Sequence, residues 1–341
     1  MISLAAMKLS ELDYEFPEEL IGTEPSRPCR VLWVDDQAPP EEVSLQTVLD
    51  RIPVGDVLVI NDTQVLKRRL FTNEQVEVLF LDEIRKSQKS NTWQVLFPSK
   101  KYNVGSVLTL PNGSQMKLVE KGRPQIVEVS PPLTDADFEE HGELPLPPYI
   151  QKAREQRHNF TEDDSWYQTQ WAEKPGSMAA PTASLHFTEN QIEELRKKGV
   201  KVIKVTLHVG LGTFLPVTVD DLDHHVMHSE YYEISEEKWL EILHAKKMKH
   251  KIWSLGTTTT RVLESVARTG KLSGETDILL QVGSEFKIVD RLMTNFHQPQ
   301  STLLALVAGF AGLEKVQSSY RWAIERKFKL FSYGDFSVWL K

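Results

Sequence analysis

The sequence predicts an α/β fold: a three-layer α/β/α main domain with an inserted small β-barrel domain. Three observations predict it. From about residue 166 onward, strand patterns alternate with amphipathic helix patterns. Between about Val65 and Ser130, short β-rich segments follow one another with no helical window between them. Before that stretch, Val57 to Ile60 is a compact apolar run closed by Asn61-Asp62, which reads as a fully buried strand ending at a polar loop.

The elements follow in order. A short helical start near Leu9 precedes the Val57–Ile60 strand. In the insert, segments 75–80, 92–97, 106–110 and 125–129 are strands, separated by turn signals such as Pro111-Asn112-Gly113 and Lys121-Gly122-Arg123-Pro124. Residues 131–165 read as an irregular connector with an acidic stretch, Asp135 to Glu140, and a proline-dense one, Leu144 to Tyr149. Glu189 to Lys198 is a helix stopped by Gly199, followed by a strand from Val200 to Val209. Ser235 to Met248 is a helix, Ile252 to Leu255 a strand, and Thr258 to Thr269 a helix ending at Gly270. Ile278 to Val282 is a strand, and Ser301 to Phe310 and Lys315 to Lys327 are helices. Residues 1–64 and 151–341 thus form a discontinuous main domain around an insert and connector at 65–150.

Composition narrows the class. With 40% hydrophobic and 26% charged residues over 341 positions, the chain has material for a large core, which excludes global disorder and fibrous repeats. The single cysteine, Cys29, cannot form an internal disulfide. Arg27 and Arg30 nearby would activate its thiol, but no partner marks it, so it reads as incidental. The start lacks the features of a signal peptide, and the longest apolar run, Leu303 to Leu313, falls short of the ~20 residues that span a bilayer. A soluble cytoplasmic protein, functioning as a monomer, is expected.

The net charge of −8 argues against a polyanionic partner when taken alone. Residues 65–130, however, hold 11 lysines and arginines against 6 acidic residues. The insert is therefore a basic module on an acidic body. Lys67-Arg68-Arg69 and Lys100-Lys101 are its densest points, expected either to contact a nucleic-acid backbone or to form a solvated face.

Candidate chemistry sits in a few segments. His186 follows a run of small residues, 176–185, that includes Thr182 and allows close approach of a ligand. His208 precedes a G-x-G turn, Gly210 and Gly212, at the mouth of a strand. His224, His225 and His228 lie within five residues but have no recognisable further metal ligand, so a polar substrate loop is the better reading than a zinc site. Gly256 to Arg261 runs from a strand into a helix: Thr257 and Thr258 stand where free N–H groups bind anions, and Arg261 is suited to a carboxylate, though a capped helix with nothing bound explains the hydroxyls as well. Asp290 and His297 flank a short loop before a buried helix. Near the end, residues 331–336 interleave aromatics with Gly334 and Asp335, either to stack a base or as core.

In register, these pieces resemble the S-adenosylmethionine:tRNA ribosyltransferase-isomerase family of queuosine biosynthesis. The carriers are GDVLVINDT (55–63), GELPLPPYI (142–150), YQT (167–169), GSMAAPTASLHFT (176–188), VTLHVGLGTFLPV (205–217), HVMHSE (225–230), GTTTTRVLES (256–265), TNFHQPQSTL (294–303) and FSYGDF (331–336). The likeness starts at Met7, which suggests that residues 1–6 are an extension. It implies transfer of the ribosyl part of S-adenosylmethionine, with isomerisation, onto 7-aminomethyl-7-deazaguanine at the wobble position of a tRNA whose anticodon has a guanine-type wobble base. Epoxyqueuosine is formed, and adenine and methionine leave. It implies an α/β domain with an inserted β-barrel, and S-adenosylmethionine as a co-substrate with no metal or redox cofactor. Asp62, His186, His208, His228, His297 and Asp290 fall in matching motifs and become the candidate acids and bases; Thr182, Gly210, Gly212, Thr257, Thr258 and Arg261 become the candidate binding residues for S-adenosylmethionine.

Some positions depart from the family pattern. Gln64 stands where Arg is usual, Lys67-Arg68-Arg69 where Pro-Ala-Arg is usual, and Gln300 where Lys is usual. The segment at Gly283 lacks a usual proline, and the stretch 27–30 is shortened. Two rival readings are a tRNA-binding paralogue without catalysis, which fits Gln64 and Gln300, and a methyltransferase, for which no glycine-rich loop appears in register.

Overall fold

Strand β3 (Val57–Asn61) lies at the centre of the molecule because every one of its residues is buried. The structure, a computed structural model, describes residues 7–36, 38–210, 212 and 217–341. The proposed extension at 1–6, and Leu211 with residues 213–216 around the G-x-G turn, lie outside the described residues. Upstream of β3 are β1 (Arg30–Val34), β2 (Glu41–Ser44) and helix α1 (Leu45–Arg51), whose first turn is capped by the Ser44 hydroxyl accepting from Thr47 N–H. Downstream come β4 (Thr63–Val65) and the insert strands β5 (Arg69–Phe71), β6 (Glu77–Lys86), β7 (Asn91–Leu96), β8 (Val107–Thr109), β9 (Gln115–Glu120) and β10 (Gln125–Ser130).

The connector holds helices α2 (Asp135–His141), α3 (Pro148–Arg154) and α4 (Asp163–Trp166). The second half of the chain contributes β11 (Lys174–Ser177), α5 (Glu189–Lys198), β12 (Lys201–Leu207), β13 (Glu230–Glu233), α6 (Glu236–Lys247), β14 (Ile252–Leu255), α7 (Thr257–Thr269), β15 (Ser273–Thr276), β16 (Arg291–Asn295), α8 (Thr302–Ala311), α9 (Leu313–Glu325) and β17 (Phe336–Leu340).

Among the described residues, nine strands form one mixed sheet in the order β15-β13-β12-β3-β14-β16-β17-β1-β2. Its centre, β12-β3-β14-β16, is parallel, so the carboxyl ends of these strands share one edge. Side chains of β3 alternate between two apolar clusters. Val57 and Val59 join Ile242 of α6, Val262 of α7, Leu306 of α8 and Val316 of α9. Leu58 and Ile60 join Val48 of α1 and Ile192 and Leu195 of α5. Each such aliphatic side chain contributes on the order of 1.5–3 kcal/mol by leaving water, which is why this run is a strand inside the sheet rather than a surface segment.

The insert is a six-stranded antiparallel sheet in the order β5-β6-β7-β10-β9-β8. A hydrogen bond from Asn73 N–H to Thr109 O at 2.8 Å joins the ends of its two edge strands, so the sheet curls into a half-barrel. Its inward side chains, including Val78, Phe80, Val95, Leu118 and Val127, form a cluster of their own.

Three expectations are corrected. The acidic stretch is helix α2, because Thr134 and Asp137 make a capping box and Phe138 is buried against Trp93 and Phe80. The connector as a whole is tied down rather than irregular: Arg154 pairs with buried Asp163 at 2.6 Å, and Tyr333 donates to the same carboxylate at 2.8 Å. Residues 278–282 are not a strand. Ile278, Leu279 and Leu280 instead line a cavity, an apolar role that leaves the same mark in sequence as a buried strand. The thiol of Cys29 is buried, and burial pushes its pKa up to about 12, consistent with an incidental cysteine. No helix among the described residues is long and apolar enough to cross a membrane.

Candidate active site

The shared carboxyl edge of the parallel strands opens onto a cavity of about 480 Å³, within the range of small-molecule sites. Two walls of different chemistry face it.

The first wall is built where β14 turns into α7. Gly256, at φ +96°, makes that turn, and no side chain caps the helix, so its first N–H groups have no intrahelical acceptor. Thr257 and Thr258 line the cavity there. One turn on, Arg261 lies against the cavity and is 6% exposed. Its Nη1 pairs with the carboxylate of Glu230 on β13, and Glu230 also accepts from Gly210 N–H at 3.1 Å. The Arg261 Nε and Nη2 are buried with no protein partner. Two cationic donors are thus left beside the cavity, which is an arrangement for a carboxylate. Thr182, Gly212 and His228 line the cavity as well, with His228 on its exposed side.

The second wall is the loop from α9 to β17. Gly334 permits it: a Cβ there would meet the Leu330 carbonyl carbon at 2.4 Å. Asp335 fastens it by accepting from Arg30 N–H at 2.9 Å and Lys329 N–H at 2.7 Å. Phe331 is held at φ +70°, an unfavourable conformation for a bulky residue that the surrounding contacts enforce. Phe331 and Ser332 face the cavity beside Tyr149 at the start of α3. The Tyr149 and Ser332 hydroxyls are hydrogen-bonded at 2.5 Å, and burial pushes the Tyr149 phenol up to about 12.

Asn295, at the end of β16, joins this wall. Its Nδ2 donates to Phe331 O at 3.0 Å and to His186 Nε2 at 3.0 Å. His297 completes it, with Nε2 hydrogen-bonded to Thr294 Oγ1 at 2.9 Å; its carbonyl accepts from Tyr14 O–H at 2.5 Å. Burial lowers the His297 pKa to about 3. Burial, with a smaller contribution from Arg27, lowers that of His186 to about 4. Both imidazoles are neutral at physiological pH.

The structure brings together seven of the candidate catalytic and binding residues, Thr182, Gly212, His228, Thr257, Thr258, Arg261 and His297, with His225 of the histidine loop beside them. The others are elsewhere. His186 stands behind Asn295 and does not line the cavity. His208 bonds Thr63 Oγ1 at 2.8 Å and stacks on Tyr231 at 5.8 Å between ring centroids. Its chain neighbour Val209, and Tyr231's neighbour Glu230, are the ones that line the cavity, because successive side chains in extended backbone point to opposite faces. Burial lowers the His208 pKa. Asp62 is buried and accepts from Thr206 Oγ1 at 2.6 Å. Gly210 acts only through its N–H, on Glu230.

Asp290 precedes β16, at the end opposite Asn295. At ~3.3 Å per residue it is about 16 Å from the cavity edge. Its carboxylate is occupied by Lys246 Nζ at 3.0 Å and Ile252 N–H at 2.9 Å. Among the described residues, no group of three or more His, Cys, Asp or Glu side chains is arranged to hold a metal ion.

The basic insert residues divide likewise. Arg69 is 2% exposed and is held by Glu143 at 2.5 Å and Arg157 O at 2.6 Å. Lys67 pairs with Asp164 at 2.7 Å, and Arg68 pairs with Asp135 at 3.2 Å while covering the Phe138 ring. These three cations bind their own chain. Lys100 and Lys101 are exposed in a single helical turn, Ser99–Lys101, and make no ion pair among the described residues. The pairing of Gln125 with Val95 sets exposed Lys121 and Arg123 at the same end of the sheet.

Sequence reasoning missed Glu230, Asn295, Tyr149 and Ser332 as site residues. All four lie inside the quoted motifs, but nothing in the sequence pairs Glu230 with Arg261, or Asn295 with the 331–335 loop.

Comparisons with known proteins identify relatives over nearly the whole chain. The family model described as "Queuosine biosynthesis protein" matches residues 9–338. An S-adenosylmethionine:tRNA ribosyltransferase-isomerase from Sulfurihydrogenibium sp. is 38% identical, covering 96% of this chain and 98% of the relative. One from Halothermothrix orenii is 40% identical with the same coverage. A crystal structure of S-adenosylmethionine tRNA ribosyltransferase from Thermotoga maritima is similar with a TM-score of 0.55 at 29% identity, covering 97% of this chain and 100% of that one.

Proposed function

The chain belongs to the queuosine biosynthesis protein family and is an S-adenosylmethionine:tRNA ribosyltransferase-isomerase, and we propose that its cavity is where S-adenosylmethionine meets the modified wobble base. The observation that carries this reading is the buried Arg261, with two unpartnered donors beside the uncapped start of α7. That pair of features suits the methionine carboxylate, with Thr257 and Thr258 beside it. S-adenosylmethionine is consumed as a co-substrate, and the reaction calls for no resident cofactor.

The chemistry needs a base for the proton on the carbon next to the sulfonium, and a proton for adenine as it departs. The amine of 7-aminomethyl-7-deazaguanine then bonds to the ribosyl group, methionine leaves, and the isomerised ribosyl becomes the epoxide-bearing ring of epoxyqueuosine. His297 is the candidate acceptor for the first proton on this wall because it lines the cavity, and a bound cationic sulfonium would have to offset the burial that makes its ring a weak base. His228, on the exposed side, is sited near the entering nucleotide. A wobble base reaches such a cavity only out of its stack.

The main domain, 1–64 with 151–341, works as a three-layer α/β/α body that holds the cavity, and the insert and connector, 65–150, as the arm that meets tRNA. Lys100 and Lys101, with Lys121 and Arg123, form a cluster of exposed cations at one end of the insert available to its phosphates. The protein acts as a cytoplasmic monomer. The test is to incubate it with S-adenosylmethionine and tRNA bearing the 7-deazaguanine amine. Adenine release supports the reading. S-adenosylhomocysteine would mark a methyltransferase, and tRNA binding without either product a non-catalytic paralogue.

A further inference from the structure

Asn295 is locked in one orientation, and its acceptor is left over. Besides the Phe331 carbonyl and His186, its Nδ2 faces the Ser332 and Asp335 carbonyls at 3.5 and 3.4 Å. Turning the amide over would set Oδ1 against three carbonyl oxygens, so the orientation is decided by its surroundings. His186 is neutral, so its Nε2 accepts this hydrogen bond and the ring proton sits on Nδ1. Oδ1 is then buried with no protein partner, although Asn295 is 1% exposed and lines the cavity. A buried carbonyl without a donor is costly, and the loop carbonyls prevent it from turning away.

The surroundings identify the donor. Phe331 supplies both the carbonyl that fixes Asn295 and a ring on the cavity wall, and it packs on Tyr149 at 5.1 Å between centroids. Phe296, whose ring packs on Tyr320 and Phe328, also borders the cavity. This is the flat, apolar end of the cavity. Glu230, which holds Arg261, is on β13, and β12, β3 and β14 stand between it and β16. At ~4.8 Å per strand, β13 and β16 are about 19 Å apart across the sheet. A ligand whose carboxylate is held by Arg261 on the Glu230 side and which extends across the cavity brings its heteroaromatic end to Asn295.

We propose that Asn295 Oδ1 accepts a hydrogen bond from the exocyclic amino group of the adenine of S-adenosylmethionine, making Asn295 a specificity-determining residue for a 6-aminopurine and His186 the positioning residue behind it. This rests on the reading that S-adenosylmethionine occupies the cavity.

The test compares the binding of S-adenosylmethionine with that of an analogue whose purine lacks the 6-amino group, on the full chain. The wild type binds the analogue at least roughly tenfold more weakly. Asn295→Ala binds the two alike. His186→Ala narrows the ratio, while His186→Gln, which keeps an acceptor near Nε2, preserves it. Equal binding by the wild type overturns the inference without recourse to any variant, and a ratio that persists in Asn295→Ala overturns it too. Arg261→Ala separates the two levels: it weakens both ligands and leaves their ratio intact. If Arg261→Ala binds S-adenosylmethionine as the wild type does, the underlying reading of the cavity fails instead.

Discussion

Arg261 and Glu230 form a buried ion pair that engages only one of the three guanidinium nitrogens. Glu230 holds the arginine by Nη1 and the chain just after β12 by Gly210 N–H, so one carboxylate sets the position of two parts of the cavity wall.

Replacing Arg261 by Ala removes the donors proposed for the methionine carboxylate. Charge-assisted hydrogen bonds are worth about 1.5–3 kcal/mol each, so losing both donors is expected to raise KM for S-adenosylmethionine about a hundredfold or more. Arg261→Lys keeps the charge but loses the fork, and recovers little. Glu230→Gln leaves the guanidinium without its counter-charge and lowers thermal stability as well as affinity, which differential scanning calorimetry reads independently of activity.

The histidines separate by position. His297→Ala lowers the rate of adenine release by about a hundredfold or more, the usual size of a lost acid–base group. His208→Ala changes it by less than about tenfold, because the ring faces Thr63 and Tyr231 on the far side of the strand pair from the cavity. Single-turnover rates on the two variants decide the matter: a His208 variant as impaired as the His297 one would contradict the assignment.

Lys100→Ala with Lys101→Ala is expected to weaken tRNA binding and to reduce the slope of log K against log salt by about 2, roughly one unit for each phosphate no longer neutralised. Arg69→Ala acts differently. It removes a buried side chain from its contacts with Glu143 and the Arg157 carbonyl, while Glu143 keeps His158 and the Asn159 N–H, and costs about 1–3 kcal/mol of stability, measurable as a shift in the urea midpoint. An unchanged salt slope in the lysine pair would remove this end of the insert from the tRNA interface.

Protonation of the buried histidines links stability to pH. His186 and His297 stay neutral in the fold down to about pH 4 and 3, while the unfolded chain takes up their protons near the ordinary histidine pKa of about 6.5. Between these limits the unfolded state binds more protons, so stability is full above about pH 6.5 and falls as the pH drops towards 4. Urea titrations at pH 7, 6, 5 and 4 should show that decline, and His186→Gln should flatten it in part.

Local patterns carried much of the fold. Helix α5 and strand β14 have the limits expected from amphipathic spacing and a branched run, and α6, α7, α8 and α9 differ from expectation by only a residue or two at most ends. Strand β17 was hidden. Phe336 to Trp339 are buried between β16 and β1, and only Phe336 stands out in the sequence, as the end of an aromatic segment, 331–336, that reads as core more than as a stacking platform. Chemistry was legible where a residue type has a local reason to be special: Arg261 follows a strand-to-helix turn, and His297 sits in a loop before a buried helix.

What the sequence alone determined is the periodicity of its elements, the basic excess of the insert and, through nine motifs in register, the family. These depend on residues near one another in the chain or on their order along it. The tertiary structure decided which side chains are still free to act. Arg69 is buried against Glu143 away from the cavity, Asp290 is taken by Lys246, and His208 is turned from the cavity, whereas Arg261 and Asn295 keep unpartnered atoms in its wall. The physical reason is that a polar group's availability depends on which distant partners and how much water reach it, and strand pairing settles both. A motif carries residue types, while the fold determines which of their hydrogen-bonding atoms remain unsatisfied.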